Sequence, residues 1–431
     1  MNRALAAELI GCLHVAGPVE AHLRRLGNFR PRDWEASLDW LNLSGIALAF
    51  WDRLQTLGAE DAVPPQVGAR LAANLAQQRQ RVAAMTQEFD SLNCQFERAG
   101  IEYAAWKGFA LIPEYCPDAC LRPMYDYDYL ISEDAWAGAS RVLQAAGYVR
   151  KPDHGTPNEV TFAPPNLPPR LLRLPGGLCA AAFPRKVELH RSAWDEEAFR
   201  IPLRVPERPL DRKVRRTWQG LSFYSLGEED AFVFQTLHAF QHILHNWCRL
   251  GWLWEIAYFL QHRSRDDSFW RNLSAHREAS DPLTEVVAVV ISLAAGLFHA
   301  ALPAPINDQI PGAMRGPVAL WVDHYGLPSA LDNFSENKSA LFLYREFVRD
   351  EAAWRQIRRS RLLPMHRPNR VAGTIAPATA AMLPARWKQG WYVAQRLLHH
   401  SVSGVGHVWE SARWKRLRRL SAHRVLPSGV K

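Results

Sequence analysis

The sequence predicts an α+β protein in which a compact core of short strands is flanked by helical regions on both sides. Three observations predict it. Apolar residues recur at helical spacing up to about residue 100 and again from about residue 228. Between those regions, short apolar and aromatic runs alternate with loops heavy in Pro and Gly. The bulk composition, 48% hydrophobic and 22% charged, is that of an ordinary folded chain.

The first region holds the run from Glu35 to Trp51, whose apolar positions repeat at three- and four-residue steps. Pro64-Pro65 opens a long helix candidate, Gln66 to Ala99, rich in Ala, Gln and Arg, which Gly100 stops. Ile101 to Trp106 then reads as a buried strand ended by Lys107-Gly108. A short helix is expected over Phe109 to Tyr115, and a second strand over Tyr125 to Ile131. Ser132, followed by Glu133 and Asp134, reads as the N-cap of a helix that runs to about Ala146 and stops at Gly147. Strand candidates follow at Tyr148 to Lys151, Glu159 to Phe162, Arg170 to Leu174 and Val187 to His190. Helical periodicity returns from Glu228 through Leu260, then over roughly 281–301, 340–362 and 387–398. The implied organisation is an N-terminal helical region (1–100), an α+β core (101–226), a helical domain (227–363), and a linker with a basic helical tail (364–431). No repeat at a fixed period is present.

Lys and Arg exceed Asp and Glu, 52 to 43, giving a formal net charge of +9. Such a field favours anionic partners: nucleotides, nucleic acid or lipid headgroups. The excess lies late in the chain, in Arg355 to Arg370 and in the tail from Arg413. The six cysteines carry no Cys-x-x-Cys pair, as expected of reduced thiols in a cytoplasmic protein. The apolar start is interrupted by Glu8 and His14, unlike a signal peptide, and no run of apolar residues is long enough for a membrane span.

The chemistry concentrates in the core. On a strand, residues i and i+2 share a face, so Asp126 and Asp128 project together, about 7 Å apart at the base from a rise of about 3.3 Å per residue. Two such carboxylates repel unless a positive charge lies between them. Mg²⁺ (or Mn²⁺) suits them, because it binds through one or two carboxylates and completes its shell with water and phosphate. A solvent-facing turn with two unrelated acids is the plain alternative. Lys107 and Gly108 lead into a helix, where a glycine admits close backbone approach and a lysine adds a point charge for phosphate. Arg122 could grip phosphate in the same place, or pair with a neighbouring acid. In Lys186 to His190 the period of two places Lys186, Glu188 and His190 on one face. If that strand lies beside Asp126, Glu188 completes a three-carboxylate site able to hold two metals.

In this order, Trp106-Lys107-Gly108, the run Leu121 to Leu130, the helix ending Gly147-Tyr148 and Val187-Glu188-Leu189-His190 resemble the uncharacterised bacterial nucleotidyltransferase family, a divergent branch of the polymerase-beta-type superfamily. The resemblance covers about residues 101–260. It implies a nucleotidyltransferase-type core of a small mixed β-sheet with helices. It implies that Asp126 and Asp128 bind metal, that Glu188 is the third carboxylate, and that Lys107-Gly108 replaces the Gly-Ser phosphate loop of better-known relatives. Tyr127 and Tyr129 stand where smaller aliphatic residues are usual. The run Leu237 to Glu255 matches the family's helical part, implying a helix pair that closes over the site with Arg249 and Glu255 as polar contacts. His238, His242 and His245 share a helical face there; zinc, packing or phosphate contacts all remain open.

The expected activity is metal-dependent transfer of a nucleoside monophosphate from a nucleoside triphosphate to an unidentified acceptor. Asp126, Asp128 and Glu188 carry the chemistry and the metal. Lys107, Gly108 and Arg122 bind the nucleotide, and His190, His242 and Arg249 contact substrate. The alternative is a non-catalytic binding or scaffold protein on a degenerate version of the same fold. Nucleic-acid binding is a third reading, although no recognisable nucleic-acid motif is present. The tail Trp409 to Arg424, basic with interleaved Trp and Leu, leaves open peripheral membrane contact, nucleic-acid binding or simple docking on the protein.

Overall fold

The structure is a computed structural model that describes residues 2–151, 158–165, 179–180, 184–275, 281–332, 338–362 and 385–424. Its core is a seven-stranded mixed sheet in the order β3-β4-β5-β2-β1-β7-β6. The strands are β1 (Tyr103–Ala105), β2 (Asp126–Ile131), β3 (Val149–Arg150), β4 (Glu159–Ala163), β5 (Lys186–His190), β6 (Val214–Trp218) and β7 (Leu221–Ser225). The β2–β5 and β1–β7 pairs are parallel and the other pairs antiparallel. With its many surrounding helices this is the α+β class that the sequence predicts. The strand candidate at Arg170 to Leu174 and the linker at Pro364 to Pro384 lie outside the described residues.

Five helices precede the sheet: α1 (Arg3–Gly11), α2 (Glu20–Leu26), α3 (Pro31–Leu43), α4 (Ala47–Thr56) and α5 (Pro65–Arg98). Helix α6 (Trp136–Ala145) follows β2, and the short α7 (Glu196–Phe199) follows β5. After β7 come α8 (Glu228–Leu244), α9 (Leu250–His262), α10 (Asp267–Ala275), α11 (Pro282–Phe298), α12 (Ala304–Asn307) and α13 (Ile310–Ala313). A π-helical turn, Val322–Gly326, joins α14 (Gly316–Trp321) to α15 (Leu327–Leu331). The chain continues through α16 (Ala340–Phe347), α17 (Glu351–Leu362) and α18 (Ala385–Arg424). One connected apolar core runs from Leu5 to Trp414.

Helix α5 sets the position of the central strand. One face of the sheet is aromatic: Tyr127 and Tyr129 alternate off β2 toward α5, where Phe89 lies 6.0 Å from each ring and Phe96 meets Tyr129 edge-on at 5.1 Å. The tyrosines therefore occupy the packing side of the strand, opposite the aspartates. Helix α5 also binds the approach to β2 through buried polar side chains. Gln78 Nε2 donates to the Arg122 carbonyl at 2.9 Å, and Arg81 Nε donates to the Met124 carbonyl at 3.0 Å. A second Arg81 nitrogen donates to the Ala180 carbonyl at 3.2 Å. Glu88 accepts from the hydroxyls of Tyr127 (2.8 Å) and Tyr148 (2.6 Å) and pairs with Arg185. These contacts aim the chain into β2 before its first residue.

Three expectations are corrected, and one element was missed. Ser132 does not cap α6: residues 132–136 form a hydrogen-bonded turn, Ala135 N–H to Ser132 C=O at 3.2 Å, and the helix starts at Trp136. Phe109 to Tyr115 is only a 3₁₀ turn, Gly108–Leu111. The stretch 340–362 is two helices, separated where Val348 takes an extended conformation. The β6–β7 hairpin was not anticipated, although its two-residue turn Gln219-Gly220, with φ of 45° and 84°, is a legible signal. The hairpin supports the core: Arg216 donates to the carbonyls of Ala110 and Ile112.

Arg81→Met should lower stability by about 3 kcal/mol, since it leaves buried carbonyls without their charged donor. Equilibrium urea unfolding followed by circular dichroism measures it.

Candidate active site

The parallel register of β2 and β5 builds the site. It places Asp126 opposite Lys186, Asp128 opposite Glu188 and Leu130 opposite His190. In-register partners point to the same face, so Asp126, Asp128, Glu188 and His190 converge on the face away from α5. Asp128 is the centre of this group. Its Oδ1 accepts from Lys107 Nζ at 2.6 Å and lies 2.9 Å from His190 Nε2. Glu159 on β4, the register partner of His190, lies 3.8 Å from His190 Nδ1.

Lys107 reaches the site because β1 runs antiparallel to β2 and ends beside it, with the Trp106 N–H donating to the Asp128 carbonyl at 3.3 Å. Gly108 then turns the chain at φ 64°, a conformation that side-chain-bearing residues rarely adopt. The following 3₁₀ turn is too short to act as a helix terminus, so the expected helix N-terminus for phosphate is not formed. Helix α8 covers the end of β1: Gln235 Nε2 donates to the Trp106 carbonyl at 3.0 Å, and Phe234 packs edge-on against Trp106.

The carboxylates are not equivalent. Burial works against charge on Asp128, but Lys107 and His190 outweigh it and hold its carboxyl well below the usual range. Burial, with Asp128 beside it, pushes Asp126 up. Glu188 is raised well above an ordinary glutamate by burial and then by Asp126, Asp128 and Glu159. Lys107 stays protonated: burial opposes its charge, while Asp128, Asp126 and Glu188 favour it. The three acids outnumber Lys107, so their joint ionisation would require a further cation.

A divalent metal fits that requirement. Ligand atoms of Asp128, Glu188 and His190 lie within 4.8 Å of one another, and they form the single such cluster among the described residues. Asp126 borders it on the same strand face. Carboxylate oxygens with one imidazole nitrogen are a donor set that could hold a divalent cation.

These groups line a cavity of about 470 Å³, within the size range of small-ligand sites. Lys107, Arg122, Tyr125 and Arg249 line it where the chain approaches β2, and Ser192, Asp195 and Phe199 where it leaves β5. Arg249 stacks over Tyr125 (4.7 Å) and Trp252 (5.6 Å), which fixes its guanidinium plane. Arg122 forms a buried ion pair with Glu255 of α9, Nε to Oε1 at 2.9 Å. That pair ties the β2 approach to α9. Glu255 is nonetheless raised by burial, which the arginine only partly offsets.

The three histidines of α8 divide. His238 and His242 pack around Trp252 at 4.5 and 4.4 Å, while His245 stacks on Phe199 at 5.0 Å. Burial first, and then Lys107, holds His238 well below its usual value and His242 at about 3. Burial holds His245 at about 3 as well. At neutral pH they are uncharged, so they can offer hydrogen bonds to a substrate but not charge. Glu159 and Asp195 were not anticipated. Glu159 shares the period-two signal of its strand, and Asp195 is marked as the cap of α7, accepting from Ala198 N–H at 2.9 Å.

The wall carrying Arg249 is seated on the N-terminal helices. The Gly251 N–H donates to the Ser44 carbonyl at 2.9 Å, and a Cβ at Gly251 would lie 2.8 Å from the Gly45 carbonyl oxygen. Gly45 itself sits at φ 75°.

A match to the uncharacterised nucleotidyltransferase family spans residues 30–299. The chain belongs to that family. The match covers every cavity-lining residue named above and the whole sheet. No curated protein and no solved structure matches the chain. Among the described residues no helix is long and apolar enough to cross a membrane.

Lys107→Met should cost about 3–5 kcal/mol in chelator-treated buffer, because Asp128 would be left a buried charge. Adding Asp128→Asn should restore at least half of the loss. A double-mutant cycle by urea unfolding reads the coupling.

Proposed function

We propose that this protein is a metal-dependent nucleotidyltransferase that moves a nucleoside monophosphate from a nucleoside triphosphate to an acceptor hydroxyl or similar nucleophile. The observation that carries the reading is the β2–β5 register. It brings Asp128 beside Glu188 and sets Asp126 and His190 on the same face, where Lys107 at the end of β1 joins them in one cavity.

Asp128 and Glu188, with His190, would hold Mg²⁺ or Mn²⁺, and Asp126 would complete the set from the same strand face. When bound, the cation supplies charge compensation for the triphosphate and for the departing pyrophosphate. In this reaction the acceptor oxygen bonds to the α-phosphorus as the bond to the pyrophosphate oxygen breaks. The side chains have separate tasks. Lys107 supplies a fixed positive charge, already desolvated, for a phosphate oxygen. Arg249, held flat by Tyr125 and Trp252, presents a guanidinium to the outer phosphates. Arg122 keeps the cavity wall in place through Glu255. Asp126, on the same strand face beside the cluster, is placed to take the acceptor's proton. The neutral His238 and His242, with Trp252, keep the α8 side of the cavity free of competing charge.

The 2.6 Å contact between Lys107 and Asp128 also supports a second reading, a nucleotide-binding or scaffold protein in which the lysine permanently neutralises the aspartate. The two readings separate on one experiment. Full-length protein incubated with labelled nucleoside triphosphates, Mg²⁺ or Mn²⁺, and cell extract should yield a labelled product. Asp126→Ala/Asp128→Ala should reduce that product by about a thousandfold or more, with the folded state intact by circular dichroism. Metal-dependent nucleotide binding that survives the double substitution, with no product from either protein, would establish the scaffold reading instead.

A further inference from the structure

Helix α18 is docked by one side only. His407 stacks on Phe342 of α16 at 5.1 Å, and Trp414 packs on the same ring at 5.6 Å. Glu410 accepts from the Tyr325 hydroxyl at 2.8 Å, and Arg418 pairs with Glu346 at 2.9 Å. Positions 407, 410, 414 and 418 fall on one helical face. The opposite face follows a second series: Trp387, Trp391, Leu398, Val402, Val405 and Trp409. These residues are separated by steps of three, four or seven, so they too share a face. All six are exposed, with Trp387 at 71%, Trp391 at 55% and Trp409 at 78%. At 1.5 Å per residue the apolar stripe is about 33 Å long.

Charge identifies what this face meets. Lys and Arg flank the stripe at both ends, from Arg386 to Arg396 and from Arg413 to Arg424, and the helix's one acid, Glu410, accepts from Tyr325. Beyond the last exposed tryptophan, Arg413, Lys415, Arg416 and Arg419 are exposed. The arginine-bearing helix α17 lies close by, since Arg358 acts electrostatically on His407. A second copy of the same helix would set these like charges against one another. A nucleic acid would use the arginines but leave the tryptophan and valine stripe in water. An anionic lipid surface satisfies both: headgroups take the basic residues, while Trp and aliphatic side chains enter the boundary with the acyl chains.

We propose that α18 is a membrane-surface helix that seats the protein on anionic lipid bilayers by its Trp387–Trp409 face. It lies on the bilayer and does not cross it, in keeping with the absence of any sufficiently long apolar helix among the described residues. This inference does not depend on the activity proposed above.

Full-length protein would be sedimented with vesicles of phosphatidylcholine alone, or of phosphatidylcholine mixed with phosphatidylglycerol. Binding should be confined largely to the anionic vesicles and weaken as salt is raised. Trp387→Ser/Trp391→Ser/Trp409→Ser, at exposed positions that bear no weight in the core, should lower vesicle partitioning about tenfold or more. Thermal unfolding and nucleotide binding should match those of the parent chain. Equal binding of parent and triple variant to anionic vesicles would overturn the proposal. So would an absence of binding, tighter retention on duplex DNA or RNA that the triple variant preserves, or a dimer that the triple substitution dissolves.

Discussion

The structure is organised around an electrostatic constraint: buried carboxylates on neighbouring parallel strands must be neutralised. Asp128 and Glu188 are register partners, and Asp126 is two residues away on the same face. Desolvated acids so close cannot all ionise without compensating charge. Lys107 is present because β1 ends antiparallel to β2, and His190 because it is two residues beyond Glu188. The covering elements follow the same demand. Helix α8 turns neutral histidines toward the group, while Arg122 and Arg249 stand where the chain approaches β2.

The strand that carries the aspartates has two faces with different tasks. Tyr127 and Tyr129 point into the aromatic layer under α5, which fixes the height of β2 above that helix. Gln78 and Arg81 hold the two carbonyls just before the strand, which fixes where it begins. Because side chains alternate, a slip of one residue would exchange aspartates for tyrosines on the cavity face. The bulky tyrosines, unusual beside the resembled pattern, therefore help to enforce the register on which the carboxylate group depends.

Much of this was legible in the sequence because it rests on local periodicity. Alternation on β2 and β5 placed Asp126 with Asp128 and Glu188 with His190, and the glycine after Lys107 marked a real positive-φ turn. Long-range pairing was not legible. Nothing local says that Arg122 meets Glu255, that Lys107 meets Asp128, or that Glu159 lies opposite His190. The Ser132 cap failed because a turn competed for the same residues. The hairpin at Gln219-Gly220 was missed because its first strand, Val214 to Trp218, carries two adjacent arginines that obscure the alternation. The basic tail looked like a separate short helix, yet α18 passes through Gly404 and Gly406 unbroken, its docked face supplying what propensity withholds.

The contact between Gly45 and Gly251 has a consequence for how this chain can vary. The two residues are far apart in sequence and are held to glycine for different reasons: Gly251 by the Gly45 carbonyl oxygen 2.8 Å from where its Cβ would lie, Gly45 by its own φ of 75°. A methyl group at Gly251 would drive α9 away from the α3–α4 turn and carry Arg249 with it, off the faces of Tyr125 and Trp252. The dependence runs one way: a side chain becomes admissible at Gly251 only after the backbone at Gly45 has withdrawn. The helices before the sheet are bound by that close approach to the cavity's fate, and the family match, which begins at residue 30, takes in both glycines.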